Sequence, residues 1–97
     1  MSSNEEPKVT AAYVRRSDGL AWVEFEPVIV EDGGWHVQIT AAYAWVANGP
    51  SAYITGRGRI VKKDGTVGAR VLETSWKVVP ENVRRAMREL LLKEAAK

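Results

Sequence analysis

The sequence lacks the residues on which many catalytic and metal sites depend. It has no cysteine among its 97 residues, which excludes disulfides and thiolate chemistry. It has one histidine, His36, and no group of His, Asp and Glu at the spacing of metal ligands. No apolar run approaches the ~18 residues that a membrane-spanning helix needs, and the polar, acidic residues 1–7 do not form a secretory signal. We therefore expect a cytoplasmic, non-enzymatic protein that is not bound to a membrane and uses no metal or small-molecule cofactor.

Neither sign of charge dominates the chain as a whole, because 14 Lys and Arg residues offset 12 Asp and Glu residues. The two signs are nevertheless separated along the sequence. Residues 1–32 contain seven acids and three bases, whereas residues 33–97 contain five acids and eleven bases. This division suggests a polarised surface and an anionic partner, unless the opposite charges meet across the fold. Amide side chains are also scarce, with one Gln and three Asn, a composition typical of thermophile proteins.

Five apolar segments, rich in Val, Ile, Tyr, Trp and Thr, are separated by short polar turns. Four of these turns contain glycine, which tolerates the positive φ of tight hairpins, so consecutive segments are expected to pair as antiparallel strands. Residues 81–96 repeat apolar side chains at spacings of three and four, which predicts a helix beginning after Pro80. The sequence thus predicts an α+β fold in one domain, residues 8–97, after a flexible tail of residues 1–7. The domain is expected to be a curved five-stranded antiparallel meander with the C-terminal helix packed on one face. The predicted strands cover residues 8–15, 20–30, 35–46, 51–63 and 66–79.

Strand alternation predicts which side chains share each face of this sheet, because a slip of one residue reverses every side chain. A two-residue turn within residues 63–66 would place Arg59 opposite Arg70 and Tyr53 opposite Trp76. These four side chains would then lie on one face, and the apolar residues between them on the other.

The apolar face must be covered, and the C-terminal helix is the only element that remains to cover it. Small residues at 41, 56 and 58 are expected to form a groove that the helix approaches closely. A loop of three residues, 32–34, would keep the second strand in register with this face. Pro27 has no backbone donor and is expected to mark a bulge. The same alternation assigns three further aromatic side chains to the core: Trp35, Tyr43 and Trp45.

The opposite face has no remaining element to cover it. It combines aromatic side chains, which can stack on bases, with arginines, which can neutralise phosphates. Glu24 and Glu26 would offset the arginine charges if they reach across the small middle strand. Arginines on the outer side of the helix would either add phosphate contacts or simply be solvated. The predicted binding residues are Trp22, Tyr53, Arg57, Arg59, Arg70, Trp76, Arg84, Arg85 and Arg88.

Two functions fit this open face. The first is binding of single-stranded DNA or RNA, and the layout resembles, in topology alone, small sheet-based proteins that bind single strands. The alternative is a protein-interaction module that uses the same face for homodimerisation or for docking a partner, since Trp, Tyr and Arg are common in interfaces. A homodimer is expected and is compatible with both functions, because two copies would build a wider basic groove.

Overall fold

The computed structural model describes residues 6–97 and shows one antiparallel sheet with strand order β1–β5 and a single α-helix. The α+β meander predicted from the sequence is therefore confirmed. Short 3₁₀ turns precede β4 and the helix, at Val46–Asn48 and Trp76–Val78. The elements are β1 (Val9–Arg15), β2 (Leu20–Asp32), β3 (Trp35–Trp45), β4 (Thr55–Val61), β5 (Val67–Thr74) and α1 (Glu81–Ala95).

The start of the domain is held against the helix. Of the predicted tail, residues 1–5 lie outside the described part of the chain. Pro7 does not behave as part of a free tail, because its carbonyl oxygen accepts a hydrogen bond from Asn82 Nδ2 at 2.7 Å. The contact joins the chain just before β1 to the first turn of α1.

Helix α1 covers one face of the sheet. Its buried residues, Val83, Met87 and Leu91, follow the four-residue spacing of one helical face and contact strands β1, β2 and β3. Burial of each such side chain stabilises the fold by about 1.5–3 kcal/mol. The sheet contributes mainly Ala, Val and Ile to this core, and the smaller ones let the helix approach. The strand residues buried beneath it include Ala21, Val23, Val37, Ile39, Ala42 and Ala44.

The turn between β2 and β3 is shorter than predicted. Asp32 pairs with Trp35, so the loop has two residues, Gly33 and Gly34, rather than three. Both glycines have positive φ, at 61° and 85°, as a tight primed hairpin turn requires. Trp35, predicted to be in the core, is instead 62% exposed. It lies at the end of the hairpin, where α1 does not cover the sheet.

Irregularities in β2 and β3 reverse the orientation of half the middle strand. The β2–β3 register shifts between Glu24 and Val28, which confirms the predicted bulge at Pro27. The β3–β4 register shifts between Ile39 and Ala41. An extra residue in one strand moves every later side chain to the opposite face.

Tyr43 and Trp45 therefore face away from the helix, and their assignment to the core was wrong. Ala42 and Ala44 occupy the core positions instead and are 0% and 1% exposed. Before the bulge, Val37 pairs with Ile60 and Ile39 with Gly58.

The β4–β5 hairpin also differs from its predicted register. Its loop has three residues, because the N–H of Lys62 donates to the carbonyl of Thr66 and Val61 pairs with Val67. A further shift within β5 pairs Arg59 with Val71. The predicted Arg59–Arg70 pair was therefore wrong.

The two glycines of β4 allow close contacts, but these contacts are not with the helix, as was predicted. A Cβ at Gly56 would collide with the Thr74 side chain and lie 3.1 Å from Val79 Cγ2, so Gly56 makes room for the segment before α1. A Cβ at Gly58 would collide with the backbone of Gln38 in β3. Close approach is thus confirmed as their role, but the approaching groups are Val79 and a neighbouring strand.

Candidate nucleic-acid interface

The face of the sheet opposite α1, here called the open face, carries its side chains in rows that run across the strands. The first is the aromatic row, in which Tyr13 pairs with Trp22, Trp22 with Tyr43, and Tyr43 with Thr55. Side chains opposite each other on one face contact directly. Three aromatic rings from three adjacent strands thus lie side by side.

The charged row follows next to the aromatic row. Glu24 pairs with Ala41, Ala41 with Arg57, and Arg57 with Glu73. The small side chain of Ala41 separates the carboxylate of Glu24 from the guanidinium of Arg57. Beyond this row, Arg59 lies between Gln38 of β3 and Val71 of β5.

Contacts between the two rows fix the orientation of the central rings. Trp22 and Tyr43 stack with a ring-centroid distance of 6.2 Å and an interplanar angle of 15°. The Arg57 guanidinium lies 5.7 Å from the centre of the Trp22 ring, within cation–π range. Trp22 Nε1 donates to Glu24 Oε2 at 3.0 Å, and the Tyr43 hydroxyl donates to Glu73. The polar tips of both rings are therefore satisfied, and their faces are partly covered, by each other and, on Trp22, by Arg57.

The hydroxyl of Tyr43 remains a proton donor over a wide pH range. Burial raises the pKa of Tyr43 above its ordinary value, and the hydrogen bond to Glu73 raises it further. The neutral phenol is the form that can donate to the carboxylate, so the contact between β3 and β5 persists at neutral pH.

Exposed aromatic side chains surround the stacked pair. Tyr13 is 45% exposed, Trp45 44% and Tyr53 59%. Tyr53 lies in the connection before β4, between buried Ala52 and Ile54, and its exposed side chain points away from that core. Sequence alternation missed Tyr43 and Trp45 as surface residues, and the only local signal for their reversal was the bulge-forming proline in β2.

The cationic side chains of this face are few. Within residues 6–97, neither Arg57 nor Arg59 forms an ion pair. Arg15, which is also at the aromatic end, is held by Asp18 at 2.7 Å. The hydrogen bond from Arg15 correspondingly lowers the pKa of Asp18. Two arginines, Arg57 and Arg59, are thus left to meet an anion on the open face.

The structure separates several predicted binding residues from this face. Trp76 lies in the 3₁₀ turn before α1, with the Arg84 guanidinium 5.5 Å from the centre of its ring. Arg84 also donates through Nε to the carbonyl of Val79 at 3.0 Å. Arg88 donates to the carbonyls of Pro50 and Ala52, both at 3.0 Å, and so anchors the β3–β4 connection.

The remaining two arginines are also apart from it. Arg70 alternates with Val71 in β5, so its side chain lies on the other side of that strand. It lines a groove at the β5 edge that Arg57 and Glu73 also border. Arg85 is exposed on the helix. Of the nine predicted residues, the structure thus brings four together on the open face: Trp22, Tyr53, Arg57 and Arg59.

Other site classes find little support in the described chain. No group of three His, Asp or Glu side chains within residues 6–97 is arranged to hold a metal ion. Over the same residues, no helix has both the length and the apolarity that a bilayer crossing requires. Comparison with protein-family models, curated proteins and solved structures finds no match for this chain.

Proposed function

We propose that the open face binds single-stranded nucleic acid without catalysing a reaction. The observation that carries this proposal is the aromatic row with Arg57 stacked on its central ring. An aromatic face accepts any base, and an adjacent arginine can meet the phosphate between two bases. The row crosses three strands of an exposed sheet, so it offers consecutive rings to consecutive bases.

The expected energetics favour stacking over charge. Each base stacked on an aromatic side chain contributes about 1–3 kcal/mol, so two or three stacks give appreciable affinity. Phosphate contacts from Arg57 and Arg59 add an ionic contribution that salt weakens. Glu24 and Glu73 beside Arg57 limit that contribution, because they repel phosphates.

The mixed charge of the open face also supports the second candidate, a homodimer interface. Two copies could pair Arg57 of one with Glu73 of the other while burying the exposed aromatic side chains. Tyr, Trp and Arg supply most of the binding energy in protein interfaces. In that case the wild-type protein would sediment as a dimer, and Trp22→Ala would shift it towards the monomer.

Titration of a fluorescent oligothymidylate of about 12 nucleotides, a length within or near the site sizes of known single-strand binders, tests the proposed function. At low salt we expect saturable binding, and Trp22→Ala should weaken it by about fivefold to 150-fold through loss of one stack. Trp76→Ala is the matched control, because Trp76 is an exposed tryptophan that lies beside the helix. Absence of binding at low salt, or an equal loss in both variants, would contradict the proposal.

A further inference from the structure

A recess next to the aromatic row has walls of opposite hydrogen-bonding character. It has a volume of about 330 Å³ and is bounded by Trp22, Glu24, Thr40 and Arg57. Ala41 lies between Glu24 and Arg57 in the charged row and is only 4% exposed, so it forms the floor. A side chain larger than alanine at this position would fill the recess.

The two charged walls are held apart and oriented differently. Glu24 is tied to the indole by the hydrogen bond from Trp22 Nε1, which keeps the carboxylate at the edge of the ring. A carboxylate only accepts hydrogen bonds, and a guanidinium only donates them. Their strands are separated by one strand, so their Cα atoms lie about 10 Å apart, since neighbouring strands are spaced by about 4.8 Å. A flat heterocycle against Trp22 would therefore meet acceptors on one edge and donors on another.

Guanine is the base whose edges match this arrangement. It carries two neighbouring donors, N1–H and the N2 amino group, and two neighbouring acceptors, O6 and N7, which arginine binds as a pair. Adenine would instead present its N1 acceptor to the Glu24 carboxylate, and cytosine would present its N3 acceptor. Neither forms a hydrogen bond there, because the carboxylate is also an acceptor. Thymine and uracil have a single N3–H between two carbonyl groups, which the carboxylate repels.

We propose that the recess between Glu24 and Arg57 selects guanine within a bound single strand. The carboxylate of Glu24 accepts from guanine N1–H and N2–H. The Arg57 guanidinium, which lies over Trp22 in the free protein, moves aside to donate to O6 and N7, and the base takes its place against Trp22. This inference rests on the proposed function, because the flanking nucleotides must lie on the same open face.

Oligothymidylates that differ only in the central nucleotide provide the test. The wild-type protein should bind the strand with a central guanine at least about fivefold more tightly than the all-thymine strand, as one bidentate base contact provides. Inosine lacks the N2 amino group but keeps N1–H, O6 and N7, so it should fall between guanine and thymine. These comparisons use unaltered protein and do not depend on the folding of a variant.

Glu24→Gln should abolish the preference for the guanine strand over the all-thymine strand, because it removes the paired acceptor. Glu31→Gln is the matched control, since Glu31 pairs with His36 at the distant end of the β2–β3 hairpin. It should keep the preference. Equal affinities for the guanine and thymine strands would overturn guanine selection while leaving single-strand binding in place. Absence of binding to every strand would overturn both proposals.

Discussion

The salt dependence of single-strand binding measures how many cationic side chains meet phosphates. For single strands, the slope of log K against log salt concentration is about −0.7 for each phosphate neutralised. The sequence predicts six arginines among the binding residues, and six phosphate contacts would give a slope of about −4.2. Within residues 6–97, the structure leaves Arg57 and Arg59 without an ion pair on the open face, and two phosphate contacts give a slope of about −1.4. Between 50 and 200 mM salt the affinity should thus fall about sevenfold, rather than about 300-fold.

The slope is obtained by titrating a labelled oligothymidylate at several potassium chloride concentrations and neutral pH. Arg59→Ala should reduce the magnitude of the slope by about 0.7, through loss of one phosphate contact. Arg85→Ala removes the same charge from the exposed side of the helix and should leave the slope unchanged. A wild-type slope near −4, or an equal effect of the two substitutions, would refute the assignment of the phosphate contacts to the open face.

Three further predictions concern the fold that presents this face. Gly58→Ala should destabilise the protein by about 1–3 kcal/mol or more in urea unfolding, because the new Cβ would meet the β3 backbone. Gly68→Ala, whose Cβ would lie 3.6 Å from the nearest atom, should change stability little, and similar losses in both variants would contradict this account. Met87→Ala, at a position that is 0% exposed, should cost about 2–5 kcal/mol in the same assay, whereas a loss under 1 kcal/mol would show that Met87 is not packed in the core. An absorbance titration should show a tyrosine that ionises above pH 10.0. That group is Tyr43, whose raised folded-state pKa contributes stability that is present below pH 10.0 and lost as pH rises through the folded value. Glu73→Gln should lower the Tyr43 pKa only in part, because burial is the larger cause, and an unchanged Tyr43 titration in this variant would contradict the assignment.

The open face was only partly predictable, and Trp22 and Arg57 show why part of it was. Both lie on stretches of strand where counting alternate residues from the nearest hairpin turn assigns the side chain to the correct face of the sheet. Tyr43 illustrates the opposite case. It has the same parity in the sequence as Val37 and Ile39, which are buried, yet the irregularity between Ile39 and Ala41 turns it to the other face.

The local sequence by itself determined the strands, their order and the helix. Glycines that adopt positive φ end the strands, and the spacing of apolar residues distinguishes period two from period 3.6. These preferences depend on residues that are close together in the sequence, so they do not require long-range contacts.

Which aromatic side chains face solvent was decided only by the tertiary structure. One or two extra residues in a strand cost little locally, and their placement depends on how the helix packs against Ala42 and Ala44 and how the neighbouring strand fits Gly58. The alternation of residues along a single strand does not depend on those contacts and therefore does not reveal them. The aromatic row and the recess beside it therefore arise from packing between elements, because the faces of a strand are assigned by what lies against them.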